Sequence, residues 1–149
     1  MDRWKKLICR GNRSFERGRL QEAADIYQAA LGEAERCLAC HACEPGRCRY
    51  LDAVAAVAAY VVTQHNLADL CLRLDRAEDA AIHLLAAHER VAGIIDDGSL
   101  PWSLRAAAIR NRSTARDALV SFADEYGIPG STRALERRIT HMPSSPVLH

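Results

Sequence analysis

Two stretches of sequence decide the fold: GNRSFERGRLQEAADIYQAAL at residues 11–31 and ADLCLRLDRAEDAAIHLLAAH at residues 68–88. They superpose with an offset of 57 residues, which sets Gly11 on Ala68 and Phe15 on Leu72. In both copies small and large residues alternate around a short turn. This alternation lets two antiparallel helices approach closely while the large side chains fill the remaining gap. The sequence therefore predicts an all-α fold that contains a repeated helix pair.

The spacing of apolar residues extends this expectation to the whole chain. It predicts six helices, at roughly 3–17, 20–40, 50–74, 77–95, 102–126 and 131–141. Gly18 suits the left-handed position after the first helix, and Gly127, Pro129 and Gly130 end the fifth. Asp75 with Glu78 suits a capping box at the start of the fourth helix. We expect a single domain over residues 1–142, interrupted by a Cys-rich insert at about 37–49, and a flexible C-terminal tail at 143–149.

The repeated pattern resembles the tetratricopeptide repeat (TPR), since the first copy reads GN, F, G, EA, Y and AL at that repeat's spacing. The chain also looks like an uncharacterised bacterial family of TPR-like proteins, through HNLAD at 65–69 and the Ala87–Arg90 stretch AHER. The resemblance implies antiparallel helix-turn-helix repeats in a short right-handed array. The offset of 57 residues exceeds the usual repeat of about 34, so helices 2 and 3 should be long.

Helices 5 and 6 would form a degenerate third pair or cap in such an array. The inward-facing side chains of helix 5 should recur at helical spacing; they are Leu104, Ala108, Ala115, Leu119, Phe122 and Tyr126.

The TPR resemblance implies a protein-interaction module that binds a peptide, a helix or a like subunit. Asn12 and Asn66 occupy positions where carboxylate-clamp TPR domains hold a peptide C-terminus, but Ile8 occupies the position of the accompanying lysine. The alternative is that the asparagines cap local backbone or only reflect common repeat usage, since a buried polar side chain must be satisfied in some way. The candidate partner-binding residues are Asn12, Phe15, Asn66, Asp69, Leu72 and Arg73. Because only two copies of the repeat are well formed, a homodimer through an exposed end is a further expectation.

A cysteine cluster supports a second hypothesis. Its spacing is C-x2-C-x2-C-x4-C, and its members are Cys37, Cys40, Cys43 and Cys48, with His41 as an alternate ligand. Four thiolates that converge tetrahedrally would suit Zn²⁺, and the spacing fits an iron–sulfur cluster less well. The alternatives are a Cys-rich connection with no metal, or a disulfide from Cys48 to Cys37 or Cys40 under oxidation. Zinc-binding or redox-responsive chemistry is therefore the alternative function.

Composition argues against several other functions. The net charge is +1 and the pI about 7.7, so nucleic acid is not an expected partner although four arginines crowd helix 5. The longest apolar run, residues 53–62, is too short for a bilayer, and the N-terminal residues lack the pattern of a targeting segment. We therefore expect no membrane partner and a cytoplasmic location with reduced cysteines, of which Cys9 and Cys71 occupy core positions.

Catalysis is not expected. His65 and Asp69 lie four residues apart and can touch on a helix, which is a fragment of an acid–base site. No sequence pattern ties a nucleophile to this pair, and His83, His88 and Glu89 do not have the spacing of a zinc protease motif. The chain is therefore expected to bind rather than to catalyse.

Overall fold

The structure, a computed structural model, describes residues 1–43 and 49–127. These residues form five helices and no strands, which confirms the all-α class. The helices are α1 (Asp2–Glu16), α2 (Leu20–Cys43), α3 (Tyr50–Arg73), α4 (Ala77–Asp96) and α5 (Trp102–Tyr126). The predicted sixth helix at 131–141 and the predicted tail at 143–149 lie outside the described residues.

The α1–α2 and α3–α4 turns have the same geometry. Gly18 adopts a φ of +73° and Asp75, 57 residues later, a φ of +59°. The amide of Arg19 donates to the carbonyl of Ser14 at 2.9 Å, and the amide of Arg76 donates to Cys71 at 2.8 Å. Both turns therefore close with equivalent hydrogen bonds.

The predicted capping role of Asp75 is wrong. Arg76 is the N-cap of α4, and no side chain caps that helix end by a hydrogen bond. Asp75 instead occupies the left-handed position after α3, where Asp is better tolerated than most residues because its short polar side chain can bond locally.

The C-terminal end of α2 also differs from expectation. The helix was predicted to end at residue 40 but continues to Cys43. Cys37, Cys40 and Cys43 therefore lie on one continuous helix, while residues 44–48 fall outside the described residues.

Helix α3 is the centre of the fold, because it packs against α1, α2, α4 and α5. Three groups of buried side chains form the core, and α3 contributes to each of them, for example through Val57, Leu67 and Ala68. Many of its buried residues are alanines, which let the neighbouring helices approach closely.

The direction of α1 relative to α3 follows from three contacts. Trp4 bonds Thr63, Asn12 bonds Asn66, and Phe15 stacks against Arg73. The order of the partners rises along both helices, so α1 and α3 run in the same direction.

Helix α5 buries five of the six predicted inward-facing residues, but not the sixth. Leu104, Ala108, Ala115, Leu119 and Phe122 are buried. Tyr126 is exposed at the helix end, where its ring stacks on Phe122 with centroids 4.9 Å apart. The prediction for Tyr126 was wrong: Tyr126 is the last residue of α5, and its side chain is 48% exposed.

Of the two cysteines that were predicted to lie in the core, one is buried and the other is exposed. Cys71 is buried, as predicted, whereas Cys9 is exposed. Helix α1 buries the side that carries Ile8, Gly11 and Ser14, and Cys9 is turned about 100° away from Ile8. Within residues 1–43 and 49–127, no helix has the length and apolar character that a bilayer span requires.

Candidate functional site

The six predicted partner-binding residues lie on the neighbouring helices α1 and α3, and we call their surface the α1–α3 face. Its members are Asn12, Phe15, Asn66, Asp69, Leu72 and Arg73. Two pairs among them are in direct contact across the helices, Asn12 with Asn66 and Phe15 with Arg73. The structure therefore brings four of the six residues together in pairs, whereas Leu72 packs against the core group that contains Cys71 and Phe122.

Asn12 is the polar centre of this face. Its Oδ1 accepts a hydrogen bond of 2.8 Å from the Tyr27 hydroxyl and one of 3.3 Å from Asn66 Nδ2. Tyr27 belongs to α2, so the Asn12 carbonyl joins three helices. Asn12 and Asn66 thus bond each other, and Asn12 also bonds Tyr27, which neither expectation for the two asparagines named.

The rest of the face combines an apolar ring with charges of both signs. The Arg73 guanidinium lies over the Phe15 ring, 5.6 Å from its centroid, a cation–π geometry. Burial raises the pKa of the Tyr27 hydroxyl, and the carboxylates of Asp69 and Glu16 raise it further. Leu72 is half-buried against the core group of Ala68, Cys71 and Phe122, so only part of its side chain is available to a partner.

His65 and Asp69 affect each other's titration. Burial lowers the pKa of His65, and the Asp69 carboxylate opposes that effect. Burial raises the pKa of Asp69, and His65 opposes it in turn. Nε2 of His65 is buried and has no hydrogen-bond partner among the described residues. The pair is therefore held in an environment that disfavours the charged form of each group.

A second polar cluster lies between α3 and α4. Gln64 donates from Nε2 to the Tyr60 hydroxyl at 3.1 Å, and its Oε1 lies 2.8 Å from His83 Nδ1. Because an amide oxygen only accepts, His83 Nδ1 carries the proton. The Arg90 guanidinium lies 6.0 Å from the centre of the Tyr60 ring. These four side chains tie α4 to α3 behind the α1–α3 face.

Comparison with protein families identifies the family of this chain. Residues 2–147 match the model of a family described as protein of unknown function (DUF2753). The chain belongs to the DUF2753 family. No curated protein and no solved structure matches it. The family description carries no activity, so a function for this DUF2753 protein has to be argued from its own residues.

Only some of the clustered cysteines of this DUF2753 protein lie at the same place on its surface. Cys37, Cys40 and His41 line one open depression of about 560 Å³ together with Glu33 and Asp52. Cys43 is exposed and does not line it, because it is turned about 120° from Cys37 around the helix. Cys48 lies outside the described residues. Among the residues that the structure does describe, no three His, Cys, Asp or Glu side chains converge as a metal-binding group.

Glu33 at the edge of the depression was missed by sequence reasoning. It is buried and makes ion pairs with Arg36 of the same helix and, at 3.8 Å, with Arg3 of α1. The Tyr60–Gln64–His83 cluster and the Trp4–Thr63 bond were missed as well. Glu33 and Arg36 form an i, i+3 pair that the sequence could have indicated. The contacts between helices carry no such local signal.

Proposed function

We propose that this DUF2753 protein is a TPR-like protein-interaction module that binds a peptide, a helix or a like subunit and catalyses no reaction, with the α1–α3 face as its surface for a peptide or helix. The equivalent turns at Gly18 and Asp75 support the repeat, since they recur at the same offset of 57 residues as the sequence pattern. The parallel course of α1 and α3 supports it further. In helix-pair repeats the first helices of successive pairs lie side by side and line the binding surface.

The observation that carries the proposal is the Phe15–Arg73 contact beside the Asn12–Asn66 pair. An aromatic ring, a guanidinium and two side-chain amides are grouped on one surface. Arg73 is exposed and Phe15 half-buried, so a ligand can reach both. This combination favours a partner segment that offers one apolar side chain and a carboxylate, because Arg can bind a carboxylate through two hydrogen bonds while Phe15 contributes apolar contact.

The test uses two charge reversals in matched positions. Arg73 and Arg13 are both exposed arginines in the last turn of their helices, but Arg13 is turned about 160° from Phe15 around α1. Wild type, Arg73→Glu and Arg13→Glu are each immobilised and used to capture proteins from the source cells, with quantitative mass spectrometry. A specific partner should be lost with Arg73→Glu and retained with Arg13→Glu. Equal capture by all three proteins would contradict the proposal.

A second candidate function is zinc binding or redox response at the cysteine cluster. Cys37, Cys40 and His41 share one depression with two carboxylates, which favours this alternative. Zinc prefers thiolate and imidazole ligands, and a fourth ligand would have to come from Cys43, Cys48 or a carboxylate. When bound, such a metal would fix the connection between α2 and α3.

Elemental analysis tests this alternative directly. Protein purified anaerobically without chelator should hold about one zinc per chain if the site is real. The double variant Cys40→Ser/Cys43→Ser should lose the metal, whereas Cys9→Ser, an exposed cysteine of α1, should retain it. Absence of metal from the wild type, together with six free thiols by count, would rule out the metal site.

A further inference from the structure

A row of exposed apolar side chains runs along α5, and we call it the α5 stripe. Trp102 is 70% exposed, Ile109 50% and Val120 36%. They are 7 and 11 residues apart along the helix. At about 100° per residue, all three point within about 20° of one direction. The opposite side of α5 carries the buried residues, such as Leu104 and Phe122, so the stripe faces away from the rest of the described molecule.

The positions between these apolar residues are mostly small. Ala106, Ser113 and Ala123 flank the direction of the stripe within about 60°, with Arg116 as the one long side chain among them. Together the two sets repeat at alternating steps of four and three residues, which is the spacing of a helix–helix seam. The α5 stripe is therefore shaped to receive another helix.

The charges of α5 are sorted along its length. Its four arginines all lie between residues 105 and 116, and its three acids, Asp117, Asp124 and Glu125, all follow them. A second α5 in the parallel direction would set like charges side by side. An antiparallel α5 would set the basic half of each helix against the acidic half of the other.

The geometry points to a second copy of this chain as the occupant of the α5 stripe, packed antiparallel about a two-fold axis that passes α5 between Thr114 and Ala115. In that register Ile109 packs against Val120 of the partner subunit, and Ala106 against Ala123 of the partner subunit. On one flank of the seam, Arg110 lies opposite Asp117 of the partner subunit. The two-fold axis repeats each contact, as an isologous interface requires.

The segment that follows α5 in the sequence, residues 128–149, is a less suitable occupant of the α5 stripe than a second copy of the chain. Residues 128–149 carry three arginines, Arg133, Arg137 and Arg138, against one acid, Glu136. This basic segment has no charge complementarity with the N-terminal half of α5, where Ile109 is exposed beside Arg110. A second α5 complements both halves at once, which favours a like subunit. The proposal specifies the like subunit allowed by the proposed function, but it uses a surface separate from the α1–α3 face.

The test measures the mass of the full chain by sedimentation equilibrium over a dilution series. The wild type should approach twice the chain mass of 16.4 kDa at high concentration. Arg110→Asp and Asp117→Arg should each weaken the dimer by about tenfold or more, because each places two pairs of like charges in contact. An equimolar mixture of the two single variants should recover the wild-type mass, since both pairs become complementary in the heterodimer. The double swap should recover it too.

An apolar variant provides a second readout. Ile109→Asp should abolish the dimer, and Ile82→Asp should leave it intact, because Ile82 is an exposed isoleucine on another helix, α4. Circular dichroism confirms that each variant is folded. A wild type that remains monomeric at all concentrations would overturn the proposal, with the stripe either bare or covered by residues 128–149. A dimer whose strength is unchanged by the charge swaps and by Ile109→Asp would overturn the proposal as well. Partner capture through Arg73 is unaffected by either result, so the two proposals fail separately.

Discussion

Gly11 lies so close to the ring of Tyr27 that a Cβ on residue 11 would stand 2.5 Å from Cε1 and 2.7 Å from Cδ1 of that ring. The ring is buried, and its hydroxyl is held by Asn12. The absence of a side chain at residue 11 therefore lets α1 and α2 approach, and the approach brings the Tyr27 hydroxyl to Asn12.

Gly11→Ala should destabilise the protein even though alanine favours helices. Overpacking against the Tyr27 ring costs about 1–3 kcal/mol, against a gain of about 1 kcal/mol in helix propensity. The free energy of unfolding in urea measures the balance. Gly32→Ala is the matched control, because Gly32 lies in α2 with nothing within 4 Å of its Cβ position, so it should stabilise by up to about 1 kcal/mol. Equal stabilisation by both substitutions would contradict the close approach.

Thr63→Val should destabilise by about 1–3 kcal/mol, because it removes the acceptor of a partly buried donor. Trp4 donates from Nε1 to the Thr63 hydroxyl at 2.8 Å, and Thr63 is fully buried. Valine keeps the shape of threonine but cannot accept this hydrogen bond. Thr114→Val, on the exposed surface of α5, should change the unfolding free energy by no more than about 0.5 kcal/mol. If the two variants were equally stable, the Trp4–Thr63 bond would contribute nothing.

The stability of the fold should fall as the pH drops below about 6.5. Burial lowers the pKa of His65, His83 and His88, and the nearby Arg112 and Arg116 lower that of His88 further. Because each folded-state pKa lies below the unfolded value, the unfolded chain binds protons first as the pH falls. The stability that the neutral imidazoles contribute is therefore fully present above the pKa of histidine in the unfolded chain. It is lost as the pH falls below that value.

His83→Asn isolates one of these contributions. Asparagine retains an N–H that can donate to Gln64 Oε1, but it does not titrate in this range. The decrease in unfolding free energy between about pH 7 and pH 5 should be smaller in this variant than in the wild type. Parallel pH curves for the two proteins would show that protonation of His83 is not linked to folding.

The cysteines should differ in their reaction with a thiol reagent. Cys9, Cys40 and Cys43 are exposed, whereas Cys71 is buried. Burial raises the pKa of the Cys71 thiol, Asp79 raises it further, and Arg76 opposes them, so less of the reactive thiolate is present. Labelling followed by mass spectrometry should modify the exposed thiols first and Cys71 last. Modification of Cys71 as fast as Cys40 in the folded protein would contradict its burial.

The sequence predicted the helices well because their signals are local. Gly18 indicated its turn through its own conformational freedom. Asp75 adopts the same conformation but was assigned to a cap, since aspartate is also a good N-cap residue and the sequence does not distinguish the two roles. Cys9 was misplaced because a one-residue change in the phase of α1 turns a side chain by about 100°.

The positions of the candidate residues on α1 and α3 were predictable, but their contacts were not. The repeat aligns residues 57 positions apart, whereas Asn12 contacts Asn66 and Phe15 contacts Arg73, at separations of 54 and 58 residues. The participation of Tyr27 could not be inferred, because its hydrogen bond to Asn12 depends on how closely α2 approaches at Gly11. The cysteines were grouped by spacing alone, and a helix that continues through Cys43 distributes them around its circumference.

The contribution of α3 to all three core groups has a consequence for how the chain opens. In a linear array each helix pair touches only its neighbours, so the ends can unzip without the middle. Here any opening that frees α3 must disrupt all three core groups, whereas α1 supplies a buried apolar side chain to one group only, through Ile8. Backbone amides of α3 should therefore exchange their hydrogens only through global unfolding, and those of α1 through a smaller and more frequent local opening.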